Sequence, residues 1–209
     1  MGEAGDSTPI GVLISGTGSN LKALLHAIEK NPAFGGHVAV VGSDRRDAAG
    51  LHVAAKHEVA TFAHELGDYA SREAWEQAMV SSLKQHDPKV IVLAGFMKLV
   101  SAAFLAHWPN AVVNTHPSLL PAFKGAHAIA DALAYGAKIT GVTVHFVDEQ
   151  LDHGPIIAQQ AVVIDDADDE STVRQRIQAV EHELLPACVS MLCRSQLRID
   201  GRNVIRTKD

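Results

Sequence analysis

Short apolar segments alternate with helix-like segments through the first half of the chain. The apolar segments are Ile10–Ser15, Val38–Gly42, Ala60–Phe62 and Val90–Ala94. Between them lie Leu21–Glu29, the alanine-rich Ala48–His57 and Ser71–Gln85, where apolar residues recur near the helical period. Strands that are buried on both faces appear as short continuous apolar segments, so this alternation predicts a parallel sheet covered by helices.

The pattern changes after about residue 110. Val112–Asn114 is a brief apolar segment, and Gly125–Gly136 has the start and stop signals of a helix. Thr140–Val147 and Ile156–Ile164 are strand-like and joined by a charged loop, which predicts an antiparallel extension of the sheet. We therefore expect an α/β fold with a Rossmann-like open sheet, parallel in its N-terminal half, mixed or antiparallel in its C-terminal strands, with helices on both faces.

Ser171–Leu192 is predicted to be a long amphipathic helix with one apolar stripe. Pro186 lies inside it and is expected to kink or divide it. Glu181 falls at the edge of the stripe, where a carboxylate is partly shielded yet can reach a ligand. His182 falls near the opposite face, so we expect a surface side chain there.

The charge balance narrows the class of partner. The chain has 18 Lys and Arg against 24 Asp and Glu, a net charge of −6, which disfavours nucleic acid as a partner. The sequence shows neither an apolar segment near 18 residues nor a signal-peptide pattern, so neither a membrane span nor secretion is predicted. We expect a cytoplasmic protein that acts on small molecules, with no membrane partner, and we allow for a homodimer.

A glycine-containing loop, Ser15-Gly16-Thr17-Gly18-Ser19-Asn20, stands between the first predicted strand and the first predicted helix. Glycines let the backbone approach a ligand, and a helix N-terminus offers free N–H groups to a phosphate. A tight turn with Ser19 or Asn20 capping the helix explains the same residues without a ligand. The loop lacks the Gly-Lys-Ser/Thr ending of a Walker loop and the third glycine of a dinucleotide fingerprint.

Asn114 and His116 follow a short apolar segment, so they are predicted near the carboxyl end of a strand, where ligands bind in open α/β sheets. Being two residues apart in extended chain, they point to the same side and can converge on one oxygen, as a tetrahedral acyl-transfer intermediate requires. Asp152 lies in a later loop, and a carboxylate near His116 would favour the imidazolium. The alternative is a capping Asn, a packed His and a turn Asp.

Other chemistries fit the sequence less well. No GxSxG elbow is present, which disfavours a serine hydrolase of that type. His182 stands in VEHEL rather than in HExxH, and zinc-ribbon CxxC spacing is absent, so no metal site is predicted.

Five segments carry a resemblance to a known family: ISGTGSN near the start, LAGFMKLV at 93–100, NTHPSLLPAFKGAH at 114–127, TGVTVHFVDEQLDHGPIIAQ at 140–159 and VEHELLP at 180–186. In order and spacing they resemble the folate-dependent formyltransferases, and among these the phosphoribosylglycinamide formyltransferases of purine synthesis. The resemblance runs from about residue 9 to residue 205. It implies formyl transfer from 10-formyltetrahydrofolate, a co-substrate, to the amine of 5-phosphoribosylglycinamide, by direct attack and without a metal.

The resemblance also implies residue roles. Asn114, His116 and Asp152 correspond to the catalytic trio. For the ribonucleotide, Gly18, Ser19 and Asn20 correspond to the loop that grips the phosphate, and Gln178 and Glu181 to the helix that contacts the substrate. For the folate, the corresponding residues are Arg72, Met97, Lys98, Leu99, Val100, Asn114, Asp148 and Asp152. The segment from Asp148 to Asp152 resembles a loop that closes over the folate ring, and His127 resembles a second active-site histidine without a settled role.

Two positions depart from the family pattern. The segment after the loop reads Asp152-His153-Gly154-Pro155, with His153 where Gly or Thr is usual, and an imidazole there could compete for the charge of Asp152. Lys98 stands where Arg is common, which keeps the charge but loses the bidentate fork.

The resemblance further implies one formyltransferase domain over residues 1–209, with 1–8 disordered, a phosphate-binding half at about 9–110 and a catalytic and folate half at about 111–205. Three alternatives within the superfamily remain: an amino-sugar formyltransferase, a 10-formyltetrahydrofolate hydrolase and a methionyl-tRNA formyltransferase. The last two are expected to carry further domains that 209 residues do not accommodate. A non-catalytic folate- or nucleotide-binding protein is the alternative from another class, because fold alone does not decide function.

Overall fold

The computed structural model describes residues 7–207, which form one nine-stranded sheet with helices on both faces. The strands are β1 (Thr8–Ile14), β2 (Gly36–Ser43), β3 (Ala60–Ala63), β4 (Val90–Leu93), β5 (Val112–His116), β6 (Ile139–Phe146), β7 (Ile156–Val163), β8 (Leu197–Asp200) and β9 (Asn203–Arg206). The helices are α1 (Ser19–Lys30), α2 (Ala49–Lys56), α3 (Arg72–Lys84), α4 (Ala102–Leu105), α5 (Ala128–Tyr135) and α6 (Glu170–Cys193).

The strand order is β3-β2-β1-β4-β5-β6-β7-β9-β8. The first five strands in this order pair in parallel, as their continuous apolar runs predict. The chain moves outward from β1 to β3 and then returns to place β4 on the other side of β1. The order reverses between β1 and β4, and an open α/β sheet has its binding crevice at the carboxyl ends of the strands at such a point.

The C-terminal strands extend the sheet with mixed directions, which confirms the expected fold class. β6 is antiparallel to both β5 and β7. The β8–β9 hairpin, which the apolar pattern did not predict, completes the edge. Its strands have four residues each and are largely exposed, joined at Gly201 with φ +59°, so they bury too little apolar surface to leave a clear signal.

The core lies on both faces of the sheet. One cluster joins the apolar side of α1 and the C-terminal part of α6 to β1 and β4 through Leu21, Leu24, Leu185 and Val189. A second packs α3 and α4 on the opposite face, with Trp75, Met79 and Phe104 nearly inaccessible. The helices therefore cover the sheet while leaving the carboxyl ends of β1, β4 and β5 accessible from above.

Several boundaries differ from the sequence predictions. α6 runs without interruption through Pro186, which is buried, so this proline does not divide the helix. α5 begins at Ala128 rather than Gly125. The predicted disorder of residues 1–8 falls largely outside the described residues. Thr8, however, begins β1, because its N–H donates to the Gly35 carbonyl and its hydroxyl to the Cys193 carbonyl.

Within residues 7–207, the longest helix, α6, is too polar to cross a membrane, and no other helix is both long and apolar enough to do so.

Candidate functional site

The glycine loop connects β1 to α1 and holds an open backbone. Gly18 is the residue before α1 and has φ +74°, a conformation that favours glycine. A Cβ at Gly18 would lie 2.6 Å from the Cα of Gly50 in α2, so any larger residue would push the loop away. Within the described part of the chain Gly18 is the N-cap of α1 and no side chain caps this helix, which corrects the expectation that Ser19 or Asn20 does so. The first N–H groups of α1 therefore lack a side-chain acceptor.

A cavity of about 260 Å³ opens directly above this loop. Residues 15–20 form one wall, the segment after β4 forms another, and Thr115 of β5 lies between them. Arg174, Gln178 and Glu181 on one face of α6 supply the polar side chains of a further wall. The structure thus brings the expected ribonucleotide residues together, although they are about 160 positions apart in the sequence.

Glu181 is a buried carboxyl group within this cavity. The amide nitrogen of Asn20 lies 3.3 Å from its Oε2, and the Thr115 hydroxyl lies 3.4 Å from its Oε1. Burial raises the pKa of Glu181, and the hydrogen bonds from Asn20 and Thr115 only partly oppose that rise. The Oδ1 atom of Asn20 is buried without a partner among the described residues. The cavity therefore keeps unused hydrogen-bonding capacity next to its carboxyl group.

The predicted trio converges on the other side of β5. Asp152 Oδ2 lies 3.4 Å from His116 Nδ1, and both side chains are more than nine-tenths buried. Asp152 is fixed by the Gly125 N–H, which donates to Oδ2 at 2.8 Å, while His116 Nε2 lies 2.9 Å from the Phe123 carbonyl. Both ring nitrogens of His116 thus face oxygen atoms. Because side chains alternate along a strand, Asn114 and His116 share the face opposite Thr115, as predicted.

His145 is a member of this cluster that the sequence analysis missed. It lies in β6 directly opposite Asn114, and its Nε2 is 3.3 Å from the Asn114 amide nitrogen and 3.9 Å from Asp152 Oδ1. Its Nδ1 donates to the Phe146 carbonyl at 2.8 Å, which leaves Nε2 as the acceptor. Burial lowers the pKa of His145, and the Phe146 carbonyl and Asp152 offset this only in part. Antiparallel pairing of β5 with β6 is the signal that could have found it.

The segment expected to contact the folate lies at the end of β4. Met97 and Leu99 are 72% and 60% exposed, whereas isolated apolar residues next to a buried strand would normally be core. Arg72 at the start of α3 donates to the Leu99 carbonyl, and its guanidinium lies over the Trp75 ring. The structure thus places Arg72 against this segment.

Lys98 and Val100, the other two residues of this segment, contact different parts of the protein. Lys98 Nζ lies 3.9 Å from the buried carboxylate of Asp44. Val100 is half-buried and packs on the Trp75 cluster. This segment therefore presents the apolar Met97 and Leu99 side chains, while Arg72 holds its backbone at the Leu99 carbonyl.

The loop from residue 148 to residue 153 carries a hydrogen bond between His153 and Asp148 that was not predicted from the sequence. His153 Nδ1 lies 2.7 Å from Asp148 Oδ2, so its imidazole pairs with Asp148 rather than with Asp152. Arg202, in the β8–β9 turn, donates to the His153 carbonyl at 2.6 Å. The β8–β9 hairpin thus anchors this loop. In this arrangement the His153 imidazole contacts Asp148 and does not compete for the charge of Asp152.

Two histidines stand apart from the cluster. His127 is exposed at the start of α5, and no hydrogen bond of the described side chains links it to Asn114, His116 or Asp152. His182 was expected at the surface but is half-buried. Its Nε2 atom is enclosed and has no hydrogen-bond partner within the described chain. Its pKa is lowered by burial.

A metal site is not among the features of residues 7–207: no group of three or more His, Cys, Asp or Glu side chains there has the arrangement to hold an ion.

Comparison with known proteins places these features in a family. A family model described as formyl transferase matches residues 9–189. A phosphoribosylglycinamide formyltransferase of Mycobacterium tuberculosis strain H37Rv is 46% identical over 192 residues, which cover 91% of this chain and 87% of the relative. A phosphoribosylglycinamide formyltransferase of Bacillus subtilis strain 168 is 38% identical over 181 residues, which cover 87% of this chain and 92% of the relative. A crystal structure of glycinamide ribonucleotide transformylase 1 from Symbiobacterium toebii aligns with a TM-score of 0.93 at 41% identity. The alignment covers 98% of this chain and 96% of that structure's chain.

Proposed function

The chain belongs to the formyl transferase family, and from this premise we propose that it formylates the amine of 5-phosphoribosylglycinamide with 10-formyltetrahydrofolate as the donor. The products are formylglycinamide ribonucleotide and tetrahydrofolate, a step of purine biosynthesis. The observation that carries the proposal is the placement of the His116–Asp152 pair across β5 from a cavity with a glycine loop. One formyltransferase domain spanning residues 1–209 is part of the same proposal.

The ribonucleotide occupies the cavity on the α6 side of β5. Its phosphate lies at the N-terminus of α1, where Gly18, Ser19 and Asn20 offer N–H groups and the positive end of the helix dipole. Gln178 and Glu181 hold the sugar and the glycinamide part through hydrogen bonds. The amine then reaches past the carboxyl end of β5 toward the trio.

The folate lies over the strip formed by residues 97–100, next to the ribonucleotide cavity, which Met97 also lines. Met97 and Leu99 supply exposed apolar surface for a flat ring, and Arg72, Lys98 and Asp148 supply charges at its border. We assign the loop from Asp148 to Asp152 to the cover of the folate ring. The formyl carbon then lies between the amine and the Asn114–His116 face.

Formyl transfer proceeds by direct attack. The amine nitrogen forms a bond to the formyl carbon, and the carbonyl oxygen becomes an oxyanion. Asn114 donates to that oxygen with the amide hydrogen that His145 does not use. The 3.4 Å separation of His116 Nδ1 from Asp152 is longer than an ordinary N–H···O bond, so this N–H can also turn toward the oxyanion.

Asp152 transfers the proton that the reaction moves from one nitrogen to the other. The attacking amine must lose a proton and the departing folate nitrogen must gain one, and a carboxylate beside His116 can relay this proton. Asp152 also stabilises the charged ring. The intermediate collapses with cleavage of the bond between the formyl carbon and the folate nitrogen. Holding the two substrates end to end supplies a further part of the rate.

The experiment that tests this function uses purified protein and 10-formyltetrahydrofolate, with and without the ribonucleotide. Tetrahydrofolate and formylated ribonucleotide are expected together, and only when both substrates are present. Formate released without the ribonucleotide would instead indicate the hydrolase. A parallel tube with an amino sugar phosphate should show no formylation, since the similar proteins carry the name of the ribonucleotide enzyme.

A further inference from the structure

The lining of the ribonucleotide cavity carries too little positive charge to balance a phosphate ester. Among the described lining residues, the charged side chains are those of Arg174 and Glu181. The glycine loop offers N–H groups and a helix dipole but no formal charge. A phosphate monoester carries close to two negative charges at neutral pH, and Glu181 is a carboxyl group in the same cavity. The lining cation therefore has an electrostatic task that the loop alone does not perform.

Arg174 lies on the face of α6 that meets the cavity. It precedes Gln178 by four residues and Glu181 by seven, so the three side chains follow one another along the helix. Its guanidinium is close enough to Glu181 to lower the pKa of that carboxyl group against the larger effect of burial. The side chain is about half exposed, which places the cation at the mouth of the cavity.

In the structure the guanidinium pairs with Glu170, one helical turn earlier. Both side chains are about half exposed, and exposed pairs at this spacing are weak. A phosphate can accept two parallel N–H bonds from the same guanidinium and therefore competes well with Glu170. Glu170 is thus a replaceable partner that holds the arginine near the cavity.

We propose that Arg174 exchanges Glu170 for the 5′-phosphate of the substrate, and so determines the preference of this site for a phosphorylated over an unphosphorylated ribosyl amine. The inference rests on the proposed function, because it assigns the phosphate to this cavity. It adds a binding residue that acts on substrate selection and leaves the chemistry at Asn114, His116 and Asp152 unchanged.

The test is steady-state kinetics with Arg174→Ala, Arg174→Lys and the matched control Arg198→Ala. Arg198 is an equally exposed arginine paired with Asp200 in β8, away from the cavity. Arg174→Ala is expected to raise the KM for the ribonucleotide at least tenfold, with kcat within twofold and the KM for 10-formyltetrahydrofolate unchanged. The ribonucleotide KM of Arg174→Lys should lie between those of the wild type and Arg174→Ala, since lysine keeps the charge but loses the bidentate geometry of the guanidinium. Arg198→Ala should match the wild type.

A second substrate identifies the contacted group. With the dephosphorylated glycinamide riboside, wild type and Arg174→Ala should have equal kcat/KM, because the phosphate contact is missing from both. An equal loss on both substrates would overturn the phosphate assignment, and so would an unchanged KM for the ribonucleotide. Glu170→Gln should leave the ribonucleotide KM equal or lower it by up to about twofold, as it frees the arginine.

Direct binding of ribose 5-phosphate, measured by calorimetry, separates this inference from the proposed function. Weaker binding to Arg174→Ala than to wild type supports the inference even if no formyl transfer is detected. Turnover by the wild type with equal ribose 5-phosphate binding by both proteins would overturn the inference and leave the function intact. Circular dichroism of each variant checks that α6 is formed.

Discussion

Two buried carboxyl groups lie on opposite sides of the end of β5, and their surroundings differ. Among residues 7–207, the hydrogen bonds that Glu181 receives come from the neutral Asn20 and Thr115 side chains, in a site where burial raises its pKa. Asp152 lies between the rings of His116 and His145 and accepts the Gly125 N–H. Similar chemical groups in unlike surroundings perform unlike tasks. We infer that Glu181 holds substrate and that Asp152 serves the chemistry.

The largest effect that would test this division is expected from Asp152→Asn. The amide cannot relay a proton or balance a charged His116, so kcat should fall by about 10²- to 10⁴-fold. The KM for the ribonucleotide should change little, since that substrate lies on the other side of β5. Steady-state kinetics measures both, with Asp166→Asn as an exposed control. Near-normal turnover would remove Asp152 from the mechanism.

Glu181→Gln should give the reverse pattern. Losing a charged acceptor in the cavity is expected to raise the KM for the ribonucleotide by about tenfold, the cost of one hydrogen bond to a charged group. The kcat should stay within about fivefold of wild type. Glu183→Gln, an exposed neighbour on α6, is the control. A large loss of kcat with unchanged KM would assign Glu181 to the chemistry and contradict the comparison.

His145 sharpens the Asp152 side of the comparison. His145→Phe removes the acceptor that fixes the Asn114 amide, so kcat should fall by about tenfold while both KM values hold, an effect of about one hydrogen bond. His145→Gln restores an acceptor and should recover part of the loss. If Phe and Gln variants behave alike, the imidazole has only a packing role.

The smallest effect concerns stability. Because the pKa of Glu181 is raised on folding, the folded state holds its proton to higher pH than the unfolded chain, and this costs stability as pH rises through the folded value. Glu181→Gln is free of this cost, and its amide can donate to the unpartnered Asn20 Oδ1. The variant should melt about 2 to 4 °C higher than wild type at pH 8, as about 1 kcal/mol would give.

The same variant gives a control in acid. Near pH 4, close to the ordinary glutamate pKa of about 4.3, most unfolded chains also hold the Glu181 proton, so the melting difference should be smaller than at pH 8. Differential scanning calorimetry at both pH values measures it. A difference that grows toward acid would contradict the raised pKa.

The parallel half of the fold was predictable because its central strands are buried on both faces, and continuous apolar segments such as Val90–Leu93 mark them directly. The β8–β9 hairpin was missed because it buries little. Pro186 was predicted to kink or divide α6, yet the helix is not divided there, and Leu185 and Val189 on either side pack against the core. Tertiary burial outweighed a local signal there.

The candidate site was predictable only in part. Asn114 and His116 follow from strand alternation, and the structure brings Asp152 to them as the resemblance implied. His145 and Arg174 were not found, since one depends on the pairing of β5 with β6 and the other on which face of α6 meets the cavity. Their relevance comes from contacts between elements that are distant in the sequence. The roles of all these residues remain predictions.

The most direct measurement of the division between the two carboxyl groups is equilibrium binding of the ribonucleotide without the folate, by isothermal titration calorimetry. It reports affinity apart from the chemical step, which KM does not always do. Asp152→Asn should bind within about twofold of wild type and Glu181→Gln about tenfold more weakly, the cost of a charged hydrogen bond. Weaker binding by Asp152→Asn with wild-type affinity in Glu181→Gln would contradict the account.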